Sequence, residues 1–259
     1  MPAREGFRPP TQGIVFLAVP DGAVGETAAS IASLEPSRRV SFLHVSGAHR
    51  LDALDALRDH AIGSFHPLQS FPEPRPPEAF RGITIAIDAS TPSLLRRLRS
   101  LARSIGARPK RVGDAERVLY HASAVFASNF LDVVVWEAVR LLRQIGWTEA
   151  EATKALLPLV EGAVANIRRR GPVRALTGPI RRGDAETVSR HLAALAKLGP
   201  APPSGSAGHL PMNGEETYRM LALVALEIAQ EAGLDPAAAE RTKRALTRDV
   251  AATQRRGRR

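Results

Sequence analysis

The distribution of apolar residues changes abruptly near residue 113, and this change constrains the fold more than any other feature of the sequence. Before it, short apolar runs alternate with helical patterns, whereas after it we find no segment that is typical of a strand. Alternating strands and helices predict an α/β layer with a mainly parallel sheet. We therefore predict two domains, an α/β domain over residues 1–112 and an all-helical domain over residues 113–259 that ends in a basic tail.

Each half contains its own series of predicted elements. Residues 14–19 are apolar on both faces, which is typical of a strand buried in a parallel sheet. The first half also predicts strands over 40–45, 61–65, 83–87 and 110–112 and helices over 25–34, 51–60 and 91–105. The second half predicts helices over 115–145, 149–170 with a kink at Pro158, 184–198, 215–232 and 236–252, and a flexible connection over 199–214.

Composition excludes several classes of protein. Without cysteine, the chain can form neither a disulfide framework nor a thiol-based site. No apolar run approaches the roughly 18 residues that a membrane helix needs, so we expect a cytoplasmic protein that does not enter a membrane. The net charge of +10 would favour a polyanionic partner. Because no zinc, helix-turn-helix or RNA-binding pattern is present, nucleic-acid binding is nevertheless not expected.

Polar and turn residues follow three of the predicted strands. In α/β sheets, ligands bind where strands end at their carboxyl edge, so these residues are candidates for a site. His66, followed by a proline, either exchanges protons with a ligand or only hydrogen-bonds a neighbouring loop, and spacing alone leaves both alternatives open. No G-x-S-x-G motif surrounds Ser46, so serine hydrolysis is not expected. The candidates are Val19, Pro20 and Asp21 after the first of these strands, Ser46 and Gly47 after the second, and His66 and Gln69 after the third. The pair Ser46 and Gly47 is typical of a tight turn.

The predicted helix 115–145 carries a second signal. On a helical wheel, Ser128 and Asp132 each lie within about 20° of His121, and Asn129 lies about 80° away. This narrow polar stripe interrupts an otherwise apolar helix. Buried polar groups need partners, so the stripe either lines a wet cleft or joins a hydrogen-bond network between helices.

Sequence motifs for phosphate and metal sites are absent. The chain contains neither G-x-G-x-x-G nor G-x-x-x-x-G-K-[ST], the two glycine-rich patterns that cradle phosphate groups. H-E-x-x-H is missing as well, and the seven histidines lack the spacing of metal ligands. We therefore predict no metal site.

Six motifs carry a family resemblance, and they keep their order over about residues 14–250. In this sequence they read FLAVPD, HVSGA, GSFHPLQSFP, YHASAVFASNF, LLPLVEGAVANI and ALTGPIRRGDAETVSRHLAAL. The chain resembles a bacterial family of NAD(P)-dependent oxidoreductases in which a Rossmann-like domain precedes an uncharacterised helical domain. Its architecture is similar to that of pyrroline-5-carboxylate reductase, prephenate dehydrogenase and the β-hydroxyacid dehydrogenases.

The resemblance implies a fold, a cofactor and a set of site residues. It implies an incomplete Rossmann-like parallel sheet followed by a helical domain like that of 6-phosphogluconate dehydrogenase. It also implies NADP or NAD as cofactor, a small-molecule substrate bound between the domains, and a homodimer. The implied residues are His66, Asn129 and His121 for catalysis; Ser46, Gly47, Gln69 and Ser128 for substrate binding; and Val19, Pro20 and Asp21 for the cofactor.

One departure from the family concerns the cofactor. In the family, a strand, a glycine-rich pyrophosphate loop and a helix precede the segment that matches FLAVPD, whereas here about twelve polar residues stand in that place. Two alternatives follow, a longer chain from a different start codon or a genuinely shortened protein. The second alternative predicts a non-catalytic binding or dimerisation module without a cofactor site of its own.

Overall fold

The computed structural model of the protein describes residues 7–198 and 214–248. The chain divides into two compact units, Met1–Val133 and Val134–Arg259. Strands occur only before residue 113 among the described residues, as the sequence predicts, yet the first unit also includes the first helix that follows the strands. That helix carries Arg117 and Tyr120, whose side chains hydrogen-bond to residues of the sheet and its strand ends. These bonds explain why the units divide about twenty residues after the last strand.

The first unit is built on one five-stranded mixed sheet with the order β1-β2-β3-β4-β5. Three neighbouring pairs are parallel, but β4 runs antiparallel to β3. The connection over residues 68–83 contains a single 3-10 turn, several prolines and no α-helix, whereas the crossover between parallel strands is usually an α-helix. The strands are β1 Gly13–Leu17, β2 Val40–His44, β3 Ile62–Pro67, β4 Thr84–Ala89 and β5 Arg108–Arg111.

Both faces of the sheet are covered, because successive strand residues point to opposite sides. Phe42 packs with helix α1, Val24–Ala32, and with a 3-10 helix, Leu51–Leu57, whereas its neighbour Leu43 packs with helix α2, Pro92–Ser104. The predicted helix 51–60 is therefore a 3-10 helix. Its inward residues Leu54 and Leu57 are three apart, the spacing that a 3-10 helix repeats on one face.

The predicted helix 115–145 is broken. Helix α3 spans Arg117–Ala127 and helix α4 spans Asn129–Gln144, and Ser128 between them has φ −120° and ψ −76°. The prediction of one straight helix with an unbroken polar stripe is therefore wrong. Ser128 and Asn129 lie at the break, while Asp132 is exposed on α4.

The described part of the second unit is entirely helical. Its core joins Val188, Leu192, Ala222, Leu226, Ala239 and Leu246, which come from three of its helices. The sequence did not predict the short helix α6, which begins at a glycine with positive φ. The helices that follow α4 are α5 Glu149–Ala175, α6 Gly178–Arg182, α7 Ala185–Leu198, α8 Gly214–Glu231 and α9 Pro236–Thr247. The predicted connection 199–214 lies almost wholly outside the described residues.

The break in α5 lies at Gly171 and not at Pro158, where a kink was expected. Gly171 has φ 73° and ψ 164°, whereas Pro158 stays within the helix. A residue that precedes proline is biased away from helical geometry, and glycine tolerates a positive φ. The pair formed by Gly171 and Pro172 therefore interrupts the helix.

Apolar side chains remain exposed on several helices. Among the residues described, one helical stretch, Arg117–Gln144, is long and apolar enough to cross a membrane, with a mean hydropathy of 1.5. This result reflects length and composition alone, and the apolar 18-residue window within the stretch is not buried, although Arg117 and Val139 of the same stretch are. Large exposed residues continue along α5 and α8, including Leu159, Ile167 and Met220.

Candidate functional site

A cavity of about 520 Å³ lies within the first unit, where the end of β3 faces the second half of α3. Its volume is within the range of pockets that hold small molecules. No charged side chain lines it. The polar side chains that line it are His66, Gln69, Ser70, His121, Ser123, Ser128 and Asn129.

Two imidazole rings converge over Gly47 at one end of this cavity. A Cβ atom built on Gly47 would lie 2.6 Å from His121 Nδ1 and 2.8 Å from His66 Nε2. Any residue larger than glycine would therefore collide with both rings. The two ring centroids are 6.3 Å apart, and the rings are nearly perpendicular. Glycine at this position keeps open the space that the two histidines share.

Tyr120 holds the His66 ring from its other side. The Tyr120 hydroxyl lies 2.7 Å from His66 Nδ1, which leaves Nε2 facing Gly47. Burial, followed by the charges of His121 and Arg117, lowers the pKa of His66 to about 4, although Asp21 opposes the shift. Burial also raises the pKa of Tyr120 to about 12. Both side chains are therefore neutral near pH 7.

Arg117 is a fully buried cation beside the site. Its guanidinium donates to the Ser46 carbonyl at 3.2 Å, to the Val112 carbonyl at 3.3 Å and to the Ser64 hydroxyl. None of these acceptors is a carboxylate, and burial lowers the pKa of Arg117. The bond to the Ser46 carbonyl fixes the peptide between Ser46 and Gly47, so Arg117 holds in place the backbone that the two histidine rings contact.

The Ser46 hydroxyl is committed to bonds within the protein. It donates to the Asp21 carboxylate at 2.8 Å and accepts from the backbone N–H groups of Ala48 and His49. The hydroxyl also lies 3.0 Å from His49 Nδ1, but its proton points to Asp21 and its oxygen accepts from two backbone N–H groups, which is the bonding of a turn-stabilising group. Ser46 is buried and does not line the cavity.

The structure brings together most of the residues that the sequence singled out. Gly47 lies beneath the two imidazole rings, and Val19, Pro20 and Asp21 follow β1. Of these last three, Asp21 is joined to the Ser46 turn by a hydrogen bond. Their role in cofactor binding stays a prediction, as does substrate binding by Ser46. The predicted residues that line the cavity are His66, Gln69, His121, Ser128 and Asn129.

Sequence reasoning missed three residues of the site. Tyr120 and Arg117 lie one helical turn apart on α3, and they had received no role. His44 ends strand β2 directly after Phe42 and Leu43 and is completely buried, and burial together with the charge of Arg117 lowers its pKa to about 4. A polar residue inside an apolar run was the available signal for His44, whereas Arg117 resembled any exposed helical arginine.

No group of three or more His, Cys, Asp or Glu side chains that could hold a metal ion occurs within 7–198 and 214–248. His66 and His121 supply two nitrogen atoms close together, but no carboxylate or third imidazole completes a ligand set with them in the described residues. The polar side chains of the site can form hydrogen bonds and exchange protons.

Comparison with known families decides where the chain belongs. Residues 83–225, more than half of the chain, match the family described as a domain of unknown function, DUF2520. The chain is a member of the DUF2520 family. The match extends from β4 to α8 and so includes Tyr120, His121 and Asn129. No curated protein matches this DUF2520 member.

Solved structures show the fold to which this DUF2520 member is similar. A candidate NADP oxidoreductase, BF3122 from Bacteroides fragilis, has a TM-score of 0.64 and 22% identity, with 84% of this chain and 75% of that one covered. Protein TM1727 from Thermotoga maritima has a TM-score of 0.70 and 21% identity, with 88% and 81% covered. The predicted Rossmann-like α/β domain with a helical C-terminal domain is confirmed, as is the resemblance to an oxidoreductase-related fold.

Proposed function

We propose that this DUF2520 protein is an oxidoreductase of the NAD(P)-dependent type that binds a small molecule in the cavity between β3 and α3. The observation that carries the proposal is that His66 and His121, which both line that cavity, converge over Gly47 beside it. The likeness to BF3122 supports the type of reaction, because that protein carries the description of an NADP oxidoreductase.

His66 is the residue we propose for proton exchange. Its ring lines the cavity with Nε2 near Gly47, while the Tyr120 hydroxyl contacts Nδ1 and sets the orientation of the ring. A neutral imidazole at pH 7 can accept a proton from a bound ligand, and the hydroxyl beside it can replace or remove a proton at Nδ1. His121 and Asn129, which line the same cavity, then orient the ligand.

The described residues do not fit the diphosphate group of a nicotinamide cofactor. The turn from β1 into α1 carries Asp21, whose carboxylate is 51% exposed, and no glycine-rich loop precedes the helix. A carboxylate at that turn repels a diphosphate, which normally binds at the uncapped N–H groups of such a helix. We assign no reaction step to the cofactor.

This misfit favours a second candidate function. A chain that folds but does not bind NAD(P) by itself would act as a binding or dimerisation module of the same family. The cavity would then be a ligand site without a redox partner. The two candidates differ in one measurable property, the affinity of the chain alone for the cofactor.

Calorimetric titration of the full chain with NADPH and NADH separates the two candidates. The enzyme predicts a Kd in the micromolar range, about 1–100 μM, for one of the two cofactors. If circular dichroism shows that the chain is folded and neither cofactor binds, the result contradicts the enzyme hypothesis and supports the binding or dimerisation module.

If NADPH or NADH binds, the role of His66 can be tested by mutation. We expect His66→Asn to lower kcat by about 100-fold or more, because positioned general acid–base groups contribute rate factors of that order. His191→Asn, in α7, is the control and should turn over at the wild-type rate. Equal kcat in wild type and His66→Asn would refute the proton-exchange role.

We also propose that the protein is a homodimer. Many exposed apolar residues of the second unit lie on α4 and α5, and α5 makes few contacts with α8. Helices with so little support within their own chain are marginal in water, so a surface of this kind needs a partner. A second copy of this chain offers the same apolar helices and can bury both sets in a symmetric interface. Nucleic acid is not proposed as a partner, and the cytoplasmic location stays a prediction.

A further inference from the structure

A second cavity, of about 320 Å³, lies within the second unit, between the beginning of α7 and one side of α9. Its volume is at the lower end of the range of pockets that hold small molecules. Charged side chains line this cavity, whereas none lines the cavity of the first unit. The side chains that supply its polar atoms are Glu186, Ser189, Arg241, Arg244 and Arg248.

The three arginines lie on one side of α9. Arg241 and Arg248 are seven residues apart, which places them about 20° apart around the helix axis and about 10 Å apart along it. Arg244 lies between them, and all three side chains are exposed. The helix that carries them is anchored, because Thr242 and Leu246 of α9 are buried in the core of the unit. The backbone therefore holds three guanidinium groups along one cavity.

These cations have few counter-charges within the described residues 7–198 and 214–248. There, no carboxylate lies within 4.0 Å of Arg241 or Arg248, and Arg244 approaches only Glu240, at 3.8 Å. Like charges four residues apart on a helix repel each other. A negative charge near the end of α9 is also unfavourable, so cations are expected there, but Arg241 lies two turns before that end. An anion bound in the cavity would compensate all three guanidinium groups.

The charge of the cavity favours a dianion. Three guanidinium groups against the Glu186 carboxylate leave a net charge of +2. A carboxylate ligand carries one charge, and a single arginine can bind both of its oxygen atoms. A phosphate monoester carries about two negative charges at pH 8 and three terminal oxygen atoms that accept hydrogen bonds. These oxygen atoms point in different directions, so one phosphate can accept from three arginines.

We propose that this cavity binds the phosphate group of a small phosphorylated molecule between Arg241, Arg244 and Arg248. A phosphate ion alone would leave most of the volume of about 320 Å³ empty, so the organic part of an ester has room beside Ala185 and Ala245. The site belongs to the second unit alone. It goes beyond the proposed function, whose cavity lies in the first unit.

Three compounds that differ in the phosphate and in the group attached to it test the ligand class. Ribose 5-phosphate, ribose and inorganic phosphate are titrated separately into the full chain at pH 8 and low salt, and binding is measured by calorimetry. We expect a Kd of about 0.1–1 mM for ribose 5-phosphate and no measurable binding of ribose. Inorganic phosphate should bind at least about three-fold more weakly than the ester. Equal affinity of the free ion would overturn the ester and assign the cavity to inorganic phosphate.

A matched pair of variants locates the bound phosphate. Arg241→Gln and Lys243→Gln each remove one positive charge from an exposed side chain of α9, but Lys243 does not line the cavity. We expect Arg241→Gln to weaken ribose 5-phosphate binding at least about ten-fold and Lys243→Gln to weaken it less than about two-fold. Arg248→Gln should behave as Arg241→Gln does. Circular dichroism checks that each variant is folded.

Equal losses of affinity in Arg241→Gln and Lys243→Gln would overturn the site, because they would show attraction by the overall charge of +10 and not binding in this cavity. Ribose that binds as tightly as its phosphate ester, or a folded chain that does not bind ribose 5-phosphate, would also overturn it. NADPH carries a phosphate monoester as well, so its titration is repeated with Arg241→Gln. An unchanged Kd for NADPH would place the cofactor outside this cavity, which keeps the test of the oxidoreductase independent.

Discussion

The Arg117 guanidinium and the His44 imidazole are both completely buried at the end of β2. A buried charge is tolerated when oxygen atoms surround it, and Arg117 receives three such partners. His44 lies within the field of that cation, and burial adds to the effect, so its pKa is lowered to about 4. At this place the interior of the protein holds the charged Arg117 side chain and keeps His44 neutral.

This arrangement predicts that stability falls as the pH falls from about 6.5 towards 4. The unfolded chain protonates His44 near its ordinary pKa of 6.5, whereas the folded chain does so only near 4. Because the folded pKa is the lower one, the unfolded state takes up the proton first and gains stability with acid. We expect this one residue to account for a loss of up to about 3 kcal/mol in the free energy of unfolding. Urea denaturation at a series of pH values measures it.

His44→Leu should make the acid side of that stability profile less steep, and part of the decline should remain because the pKa of His66 is also lowered to about 4. Phe42→Leu, two residues away in the same strand, is the control, because it lowers stability at every pH without removing a titrating group. An equally steep acid decline in His44→Leu and wild type would show that other groups cause the pH dependence.

At the scale of elements, β3 and the antiparallel strand β4 approach each other closely in the middle of the sheet. Gly63 of β3 pairs with Ala89 of β4, and a Cβ on Gly63 would lie 2.7 Å from the Asp88 carbonyl oxygen and 2.9 Å from Leu43 Cδ2. One of these neighbours is backbone and cannot move without displacing the strand. The close approach of β3 and β4 therefore requires glycine at this position.

Gly63→Ala should lower the free energy of unfolding by about 1–3 kcal/mol, as overpacking typically does. Gly162→Ala is the matched control in α5, where nothing lies within 4 Å of the added Cβ. Because alanine favours the helix over glycine, we expect that variant to be more stable by about 0.5–1 kcal/mol. Thermal or urea unfolding of both variants measures the difference, and a neutral Gly63→Ala would contradict the tight packing of β3 against β4.

At the scale of the whole molecule, the second unit leaves a large apolar surface open. Trp136, Leu159 and Val224 are each more than half exposed, although α7, α8 and α9 enclose a core of their own. Exposed apolar surface on this scale is unusual for a monomer in water. The proposed dimer removes it by pairing like helices from two copies.

Light scattering tests the dimer. We expect twice the chain mass of 27.8 kDa at micromolar concentration. Leu159→Glu and Trp136→Glu place charges on the apolar surface and should shift the protein towards monomer or aggregate, whereas Glu161→Gln, on the same helix as Leu159, should not. A monomer mass for the wild-type chain at about 100 μM would refute the dimer, because stable interfaces of standard size associate well below that concentration.

The sequence by itself determined the order of elements and the edge at which the site forms. The run 14–19 and its successors become the strands of the sheet, although the prediction that 14–19 is buried is wrong, because β1 is an edge strand in which Phe16 is 40% exposed. The helix predicted over 91–105 forms as α2, and the Thr91 hydroxyl caps it by accepting from Leu94 N–H. Strand ends and helical spacing are local properties, so His66, His121 and Gly47 could be identified from them. The family resemblance was visible for the same reason, because its motifs are contiguous.

Only the tertiary structure decided how these residues act together. Arg117 is buried because it meets the Ser46 and Val112 carbonyls, which are far from each other in the sequence. The break at Ser128 and the reversal of β4 likewise depend on what each segment packs against, since local pattern permits the alternatives. The meeting of His66 and His121 over Gly47, with Tyr120 on the far side of the His66 ring, depends on contacts between residues up to about seventy positions apart. Periodicity within one segment contains no information about such contacts.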